Sequence, residues 1–181
     1  MKFIGERKIL VAGLDNSGKT SIVLSLKGNR NLLSFYSLKP TAGLKIDEIL
    51  SENTKFHVWE LGGQQLYIKK YLEDFSQYTE NVDKIIFVID VQDPSRYEVA
   101  LAYFEDVIRN FRESGAFPEI SLFLHKFDPD ISDDEKYSDK ALNEQILTKA
   151  AKIVATEFTL KIFKTTIFTV FRKTPFPFSS K

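Results

Sequence analysis

The residues that most constrain this chain are Gly13-Leu14-Asp15-Asn16-Ser17-Gly18-Lys19-Thr20, a G-x-x-x-x-G-K-T run. The short apolar stretch Lys8-Ile9-Leu10-Val11-Ala12 precedes it and reads as a buried strand. Ser21-Ile22-Val23-Leu24-Ser25-Leu26 follows, with apolar residues suited to a packed helix. Strand, glycine-bounded loop and helix form the context in which the pattern has a mechanism. Glycines let the backbone wrap a polyphosphate, N–H groups point inward, and the helix N-terminus adds a favourable dipole. Lys19 then neutralises β- and γ-phosphates, and the Thr20 hydroxyl ligates a magnesium ion. By average residue usage the pattern arises by chance in about one chain in a hundred of this length. The alternative is a glycine-rich strand-to-helix turn bearing a surface lysine.

A length of 181 residues suits one domain with a substantial core. Formal net charge is zero and the 25 basic residues are scattered among 25 acidic ones, so no basic stripe points to nucleic acid. No apolar run has the length of a membrane span, and no secretory signal opens the chain. Cysteine is absent, which excludes disulfides, thiol catalysis, cysteine-based zinc sites, prenylation and palmitoylation. Lys2 after the initiator excludes myristoylation. Membrane contact is therefore expected only through a partner or a peripheral patch.

Apolar runs alternate with helical patterns, the signature of a parallel α/β sheet. Strands are expected near 8–13, 44–50, 54–61, 84–91, 119–125 and 161–167. Helices are expected near 18–28, 66–78, 95–113 and 138–158. Residues 44–49 alternate apolar and polar like a half-exposed edge strand, whereas 85–89 are continuously apolar like a central one. Leu142, Ile146, Leu147, Ala150, Ile153 and Val154 mark the core face of the last helix. Segment 128–137 reads as a solvated acidic connection.

Three further segments fall where a nucleotide site needs them. Trp59-Glu60-Leu61-Gly62-Gly63-Gln64 ends a strand, where open sheets place ligand groups. Glu60 alone reads as a solvated strand-end acid; in E-x-x-G-Q behind a phosphate loop it reads as a group acting on the metal. Gly63 offers an unhindered N–H to a γ-phosphate, and Gln64 can orient an attacking water. Pro40-Thr41-Ala42-Gly43 reads either as a plain turn or as a loop whose Thr41 hydroxyl reaches the metal only on closing over a γ-phosphate. His125-Lys126-Phe127-Asp128 ends the fifth strand. A carboxylate at Asp128 matches guanine N1–H and its exocyclic amine, a donor pair that adenine lacks. The Lys126 stem can cover base or ribose, and the N–H groups of Lys164-Thr165-Thr166-Ile167 can face the guanine oxygen.

Together these segments resemble the small GTPases of the Ras superfamily. The Gly13–Thr20 run, Pro40-Thr41-Ala42-Gly43 and Val58-Trp59-Glu60-Leu61-Gly62-Gly63-Gln64 resemble the Arf/Arl branch, while His125-Lys126-x-Asp128 and Thr165-Thr166-Ile167 resemble the Rag GTPases. The resemblance covers about residues 6–167, with the motifs in family order. It implies an α/β P-loop fold: a mostly parallel six-stranded sheet with one antiparallel edge strand and helices on both faces. The GTPase domain is expected over 1–167 and a Phe/Pro-rich tail over 168–181.

For the site, the resemblance implies that Asp15, Asn16, Ser17, Gly18, Lys19, Thr20 and Ser21 bind phosphates. Thr20 and Thr41 ligate Mg²⁺, and Glu60 acts through a metal-bound water. Gly63 contacts the γ-phosphate, and Gln64 with Lys19 carries the catalysis of GTP hydrolysis. His125, Lys126, Asp128, Thr166 and Ile167 hold guanine. Segments 34–45 and 62–78 become the two switches. Implied partners are an exchange factor, an activating protein and a second GTPase chain, at a cytoplasmic location with membrane recruitment through a partner. A non-catalytic, Rag-like nucleotide-dependent scaffold is the alternative.

Four departures qualify the resemblance. Glu60 stands for the usual Asp and is one methylene longer, which implies a change in metal geometry or in the off state. His125 stands for Asn, which implies a looser tie between base loop and phosphate loop. Only a few residues precede the first strand, so the long N-terminal Arf helix is not expected. Finally, Phe168 to Phe178 is too interrupted by Pro175 and Pro177 for a full final helix. This tail covers the sheet flank, leaves it to a partner, or marks a truncation; Phe171 and Phe176 are expected in an apolar groove.

Overall fold

The computed structural model describes residues 5–28, 34–35 and 38–167. The expectations for Phe171, Phe176 and the final helix lie outside these residues, as does the extreme N-terminus. Six strands form one sheet: β1 (Gly5–Ala12), β2 (Leu44–Ser51), β3 (Thr54–Leu61), β4 (Lys84–Asp90), β5 (Glu119–His125) and β6 (Leu160–Thr165). Their spatial order is β2-β3-β1-β4-β5-β6. Only β2 and β3 run antiparallel, joined by a tight hairpin; every other neighbouring pair is parallel. The mostly parallel sheet with one antiparallel edge is thus as expected.

The helices that flank the sheet among the described residues include α1 (Lys19–Leu26), α2 (Gln65–Glu73), α3 (Ser76–Thr79), α4 (Tyr97–Ser114), α5 (Asp139–Leu142) and α6 (Thr148–Val154). Two apolar layers flank the sheet. Leu10, Ile85, Phe87 and Leu122 face the larger one, filled by Phe104, Phe111, Ile146 and their neighbours from the helices. Val11, Val58, Ile86 and Val88 face α1 through Ile22 and Val23. Among the described residues, no helix is long and apolar enough to cross a membrane.

Three local features depart from the pattern reading. The helix expected over 66–78 breaks at Asp74, which leaves helical geometry at φ −139°. Its carboxylate accepts from the Ser76 hydroxyl at 2.9 Å and from the Gln77 amide, and the break turns Phe75 into the core against Phe111. The helix expected over 138–158 contains a π turn, Asn143–Leu147, between α5 and α6. Leu142, Ile146, Ala150 and Val154 are all buried although a four-residue step drifts around a regular helix. Underwinding by the π turn keeps them on one line.

On the edge strand β2, Asp47 rather than Ile46 is buried. Asp47 pairs with Val58 on the α1 side, where Lys27 at 2.6 Å and Lys45 at 3.4 Å offset its charge. Ile46 is left half-exposed on the opposite face.

Candidate nucleotide site

The loop between β1 and α1 is built by backbone that few side chains tolerate. Gly13 has φ +141°, and a Cβ there would lie 2.3 Å from the Val88 carbonyl oxygen. Gly18 has φ +92°, and a Cβ there would lie 2.3 Å from His125 Cδ2. Glycine is therefore required at both positions on two grounds. The second contact bears on the base loop: the His125 ring lies directly against the phosphate loop. Its Nδ1 meets the Thr165 hydroxyl at 2.9 Å. At this position the contact between base loop and phosphate loop is made by ring packing of His125 on Gly18.

Beside this loop is a cleft of about 180 Å³. Asp15, Asn16, Gly18, Lys19, Thr20 and Ser21 line it from one side, and Leu38, Lys39, Pro40, Thr41, Glu60 and Gly63 from the other. Lys19 is buried and donates to the Leu14 carbonyl at 2.7 Å. Burial lowers its ammonium to about 8, against the pull of Glu60 and Asp15 and with a smaller push from Arg96. Ser17 is buried, and its hydroxyl takes no partner among the described residues.

At one end of the cleft three oxygen-bearing side chains from three segments meet. The Thr41 hydroxyl lies 3.1 Å from that of Thr20 and 3.0 Å from Glu60 Oε1. Thr20 also donates to the same Glu60 oxygen. Glu60 is fully buried, and its Oε2 finds no hydrogen-bond partner among the described residues. A buried carboxylate oxygen left so is costly unless a cation or further donors reach it. Hard oxygen donors of this kind suit magnesium. No cluster of three or more His, Asp or Glu able to hold a metal occurs among the described residues. A cation here would therefore lean on the two threonines and a phosphate as well as on Glu60.

The Gly62-Gly63 turn is pressed onto the loop. Asp15 N–H donates to the Gly63 carbonyl at 2.9 Å, and Gly62 N–H donates to the Gly43 carbonyl at 3.0 Å. Gly62 N–H also faces the buried Tyr71 hydroxyl at 3.1 Å, a partner without sequence signal. Gln64 stands at the N-cap of α2, half-buried, and does not line the cleft.

The residues expected to hold a base form a second cluster. Asp128 Oδ2 accepts from Gln92 at 2.9 Å, and Oδ1 accepts from the Thr166 hydroxyl. Gln92 also donates to the Lys126 carbonyl at 2.8 Å, and Lys126 Nζ binds Asp90 at 2.6 Å. Each carboxylate oxygen retains acceptor capacity for a ligand. Ile167 is half-buried and packs against the small core. The segment 128–137 is less solvated than expected, since Ile131 and Tyr137 pack on the large core. Sequence reading missed Asp90, Gln92 and Arg96, whose partners are 36, 36 and 81 residues away.

Burial pushes His125 down to about 4, aided by the Lys126 ammonium and opposed by Asp90, Asp128 and the Thr165 hydrogen bond. The ring is thus neutral in the fold, whereas the unfolded chain protonates it near pH 6.5. Its contribution to stability is complete above about pH 6.5 and is lost as pH falls toward 4. The loss is about 3 kcal/mol. Denaturant unfolding from pH 7 to 4 should therefore show a steeper decline for the native chain than for His125→Asn, by about that amount; parallel declines would contradict it.

Comparisons with known proteins show the family and the fold. The model of the ADP-ribosylation factor family matches residues 2–170. ADP-ribosylation factor 3 of Arabidopsis thaliana is 35% identical over 123 residues, 68% of this chain and 62% of that protein. ADP-ribosylation factor-like protein 5A of Rattus norvegicus is 33% identical over 94 residues, 52% of this chain and 48% of that one. The matches thus span less than two thirds of these relatives. The Arl6 BBS3 small GTPase of Trypanosoma brucei, solved with the nucleotide analogue GppNp, shares the fold with a TM-score of 0.66. At 22% identity that match covers 89% of this chain and 87% of the other. With the family model spanning nearly its whole length, this chain belongs to the ADP-ribosylation factor family of the Ras-superfamily small GTPases.

Proposed function

We propose that this chain is a guanine-nucleotide switch that binds GTP and GDP with Mg²⁺ and hydrolyses GTP slowly. The observation that carries the reading is the meeting of Thr41, Thr20 and Glu60 at one end of the cleft. Thr41 comes from the loop before β2, and a ligand that binds this end would favour the arrangement in which that loop stays against Thr20 and Glu60. A γ-phosphate supplies that differential contact and GDP does not.

Thr20, Thr41 and Glu60 would hold the magnesium ion, which supplies positive charge to the phosphate oxygens when bound. Lys19 places its ammonium on the β- and γ-phosphates, where burial strengthens the interaction. Gln64 orients water for in-line attack on the γ-phosphate, giving GDP and phosphate. Asp128 selects guanine, with Lys126, Thr166, Ile167 and the His125 ring shaping the pocket around it.

No arginine occurs in residues 37–41, the first-switch position from which one would act in cis. An arginine supplied by an activating protein is worth about 10³–10⁵ in rate, so turnover alone is slow. The same logic calls for an exchange factor, and for effectors that read segments 34–45 and 62–78. A GTPase domain over 1–167, a cytoplasmic location, pairing with a second GTPase and membrane recruitment through a partner belong to the same reading.

Gln64→Leu tests the catalytic part. Single-turnover hydrolysis should fall at least about tenfold while GTP affinity stays within about threefold, because the side chain orients water rather than binding phosphate. Unchanged hydrolysis would favour a non-catalytic scaffold.

A further inference from the structure

The most informative group outside the expected site is Arg96. The turn Pro94–Arg96 presents it at the start of α4, and the next residue, Tyr97, is buried with its hydroxyl on the Val91 carbonyl. The guanidinium therefore projects from an anchored base. It forms an ion pair with the Asp15 carboxylate and donates to the Asp15 carbonyl at 3.1 Å. Both side chains are over a third exposed, at 36% and 42%, so the pair adds little to stability. Its position says more. Asp15 lines the cleft together with Lys19, Thr20, Thr41, Glu60 and Gly63. A carboxylate in that wall repels a γ-phosphate.

We propose that Arg96 is a positioning residue that clamps Asp15 and cancels its charge, so that the loop accepts a triphosphate as readily as a diphosphate. The inference rests on the guanine-nucleotide reading above. The fields of both Asp15 and Arg96 reach the Lys19 ammonium with opposite sign, in keeping with mutual cancellation at the phosphate end. A guanidinium suits the task because its planar fork engages carboxylate and carbonyl together.

The test titrates nucleotide-stripped wild type, Arg96→Gln, Asp15→Asn and the double variant with GDP and GppNp, and reads the affinity ratio. Arg96→Gln should lower GppNp relative to GDP on the order of tenfold, as an uncancelled charge beside a phosphate requires. The double variant should return the ratio to within about threefold of wild type, since no carboxylate then remains to cancel. A merely structural bridge would weaken both nucleotides equally. An unchanged ratio in Arg96→Gln overturns the proposal, and so does a fall that Asp15→Asn fails to rescue, which would place Arg96 on the phosphate itself. If Arg96→Gln no longer holds GDP, Arg96→Lys decides. It keeps the charge but loses the fork, so its ratio must fall by less than the roughly tenfold expected of Arg96→Gln, and a drop of about tenfold or more overturns the proposal. Wild type binding neither nucleotide would overturn the guanine-nucleotide reading and this inference together.

Discussion

Asp128→Ala should lower GTP affinity by about 10³-fold and leave ATP affinity nearly unchanged, so that the preference for guanine collapses. The size follows from the carboxylate's arrangement. Its two oxygens accept from Gln92 at 2.9 Å and from Thr166, so the proposed base would meet a carboxylate already held in place. Two hydrogen bonds to a charged acceptor contribute about 1.5–3 kcal/mol each, which places the loss between about 10² and 10⁴. Adenine never used those bonds. Displacement of a fluorescent GDP by GTP and by ATP reads both affinities, and a loss under tenfold for GTP would mean that the base is recognised elsewhere. Gln92→Ala should show a smaller shift in the same direction, because it removes alignment and leaves the acceptor.

Gly63→Ala should cut single-turnover GTP hydrolysis about 10²-fold or more while GDP binding persists. A Cβ at Gly63 would sit 2.2 Å from both the Asp15 nitrogen and the Leu14 carbonyl carbon, which are backbone atoms of the phosphate loop. Neither can swing away as a side-chain tip could. The Gly62-Gly63 turn must lift, breaking the 2.9 Å Asp15-to-Gly63 hydrogen bond and displacing Gln64 next to it. A shift on the order of 1 Å suffices for a loss of this size when the displaced group orients a reactant. GDP has no γ-phosphate at this end, so its affinity should change by no more than about threefold. Equal losses for hydrolysis and GDP binding would show that the turn merely supports the loop. Gly62→Ala is an informative companion, since its Cβ would instead strike the Thr41 carbonyl oxygen at 2.4 Å, on the other switch.

The sheet was legible because its central strands are unmistakable. Ile85 to Ile89 are continuously apolar and all buried, and the phosphate loop marks where β1 ends. The candidate site was legible as a set of residues that the fold gathers: Lys19, Thr20 and Glu60 line one cleft, and Asp128 lies in a second cluster with Gln92 and Thr166. What pattern reading could not supply is contact between distant loops. Arg96 stands in an ordinary helix-opening turn, and nothing near it in sequence names Asp15, 81 residues earlier. The burial of Asp47 reversed the expectation for an edge strand because its partner Lys27 lies past the end of α1, outside the strand's own alternation. Asp74 interrupted a plausible helix because exposed side-chain bonds and the burial of Phe75 outweighed helical periodicity. His125 gave the least transparent case: its residue type carried no signal that its ring would pack against Gly18 of the phosphate loop. The relatives reported above belong to the Arf branch, so the Rag-like reading rests on residues 125–128 and 165–167 alone.

In the proposed function, the loops after β1, β3, β5 and β6 form one guanine-nucleotide site. Calorimetric titration of the nucleotide-stripped chain tests this directly, using GTP, GDP and ATP with Mg²⁺ and again with chelator. The expected result is one equivalent of GTP or GDP bound, ATP weaker by about 10³-fold or more, and a marked loss of GTP affinity without Mg²⁺. ATP binding as tightly as GTP, or neither binding, would contradict it.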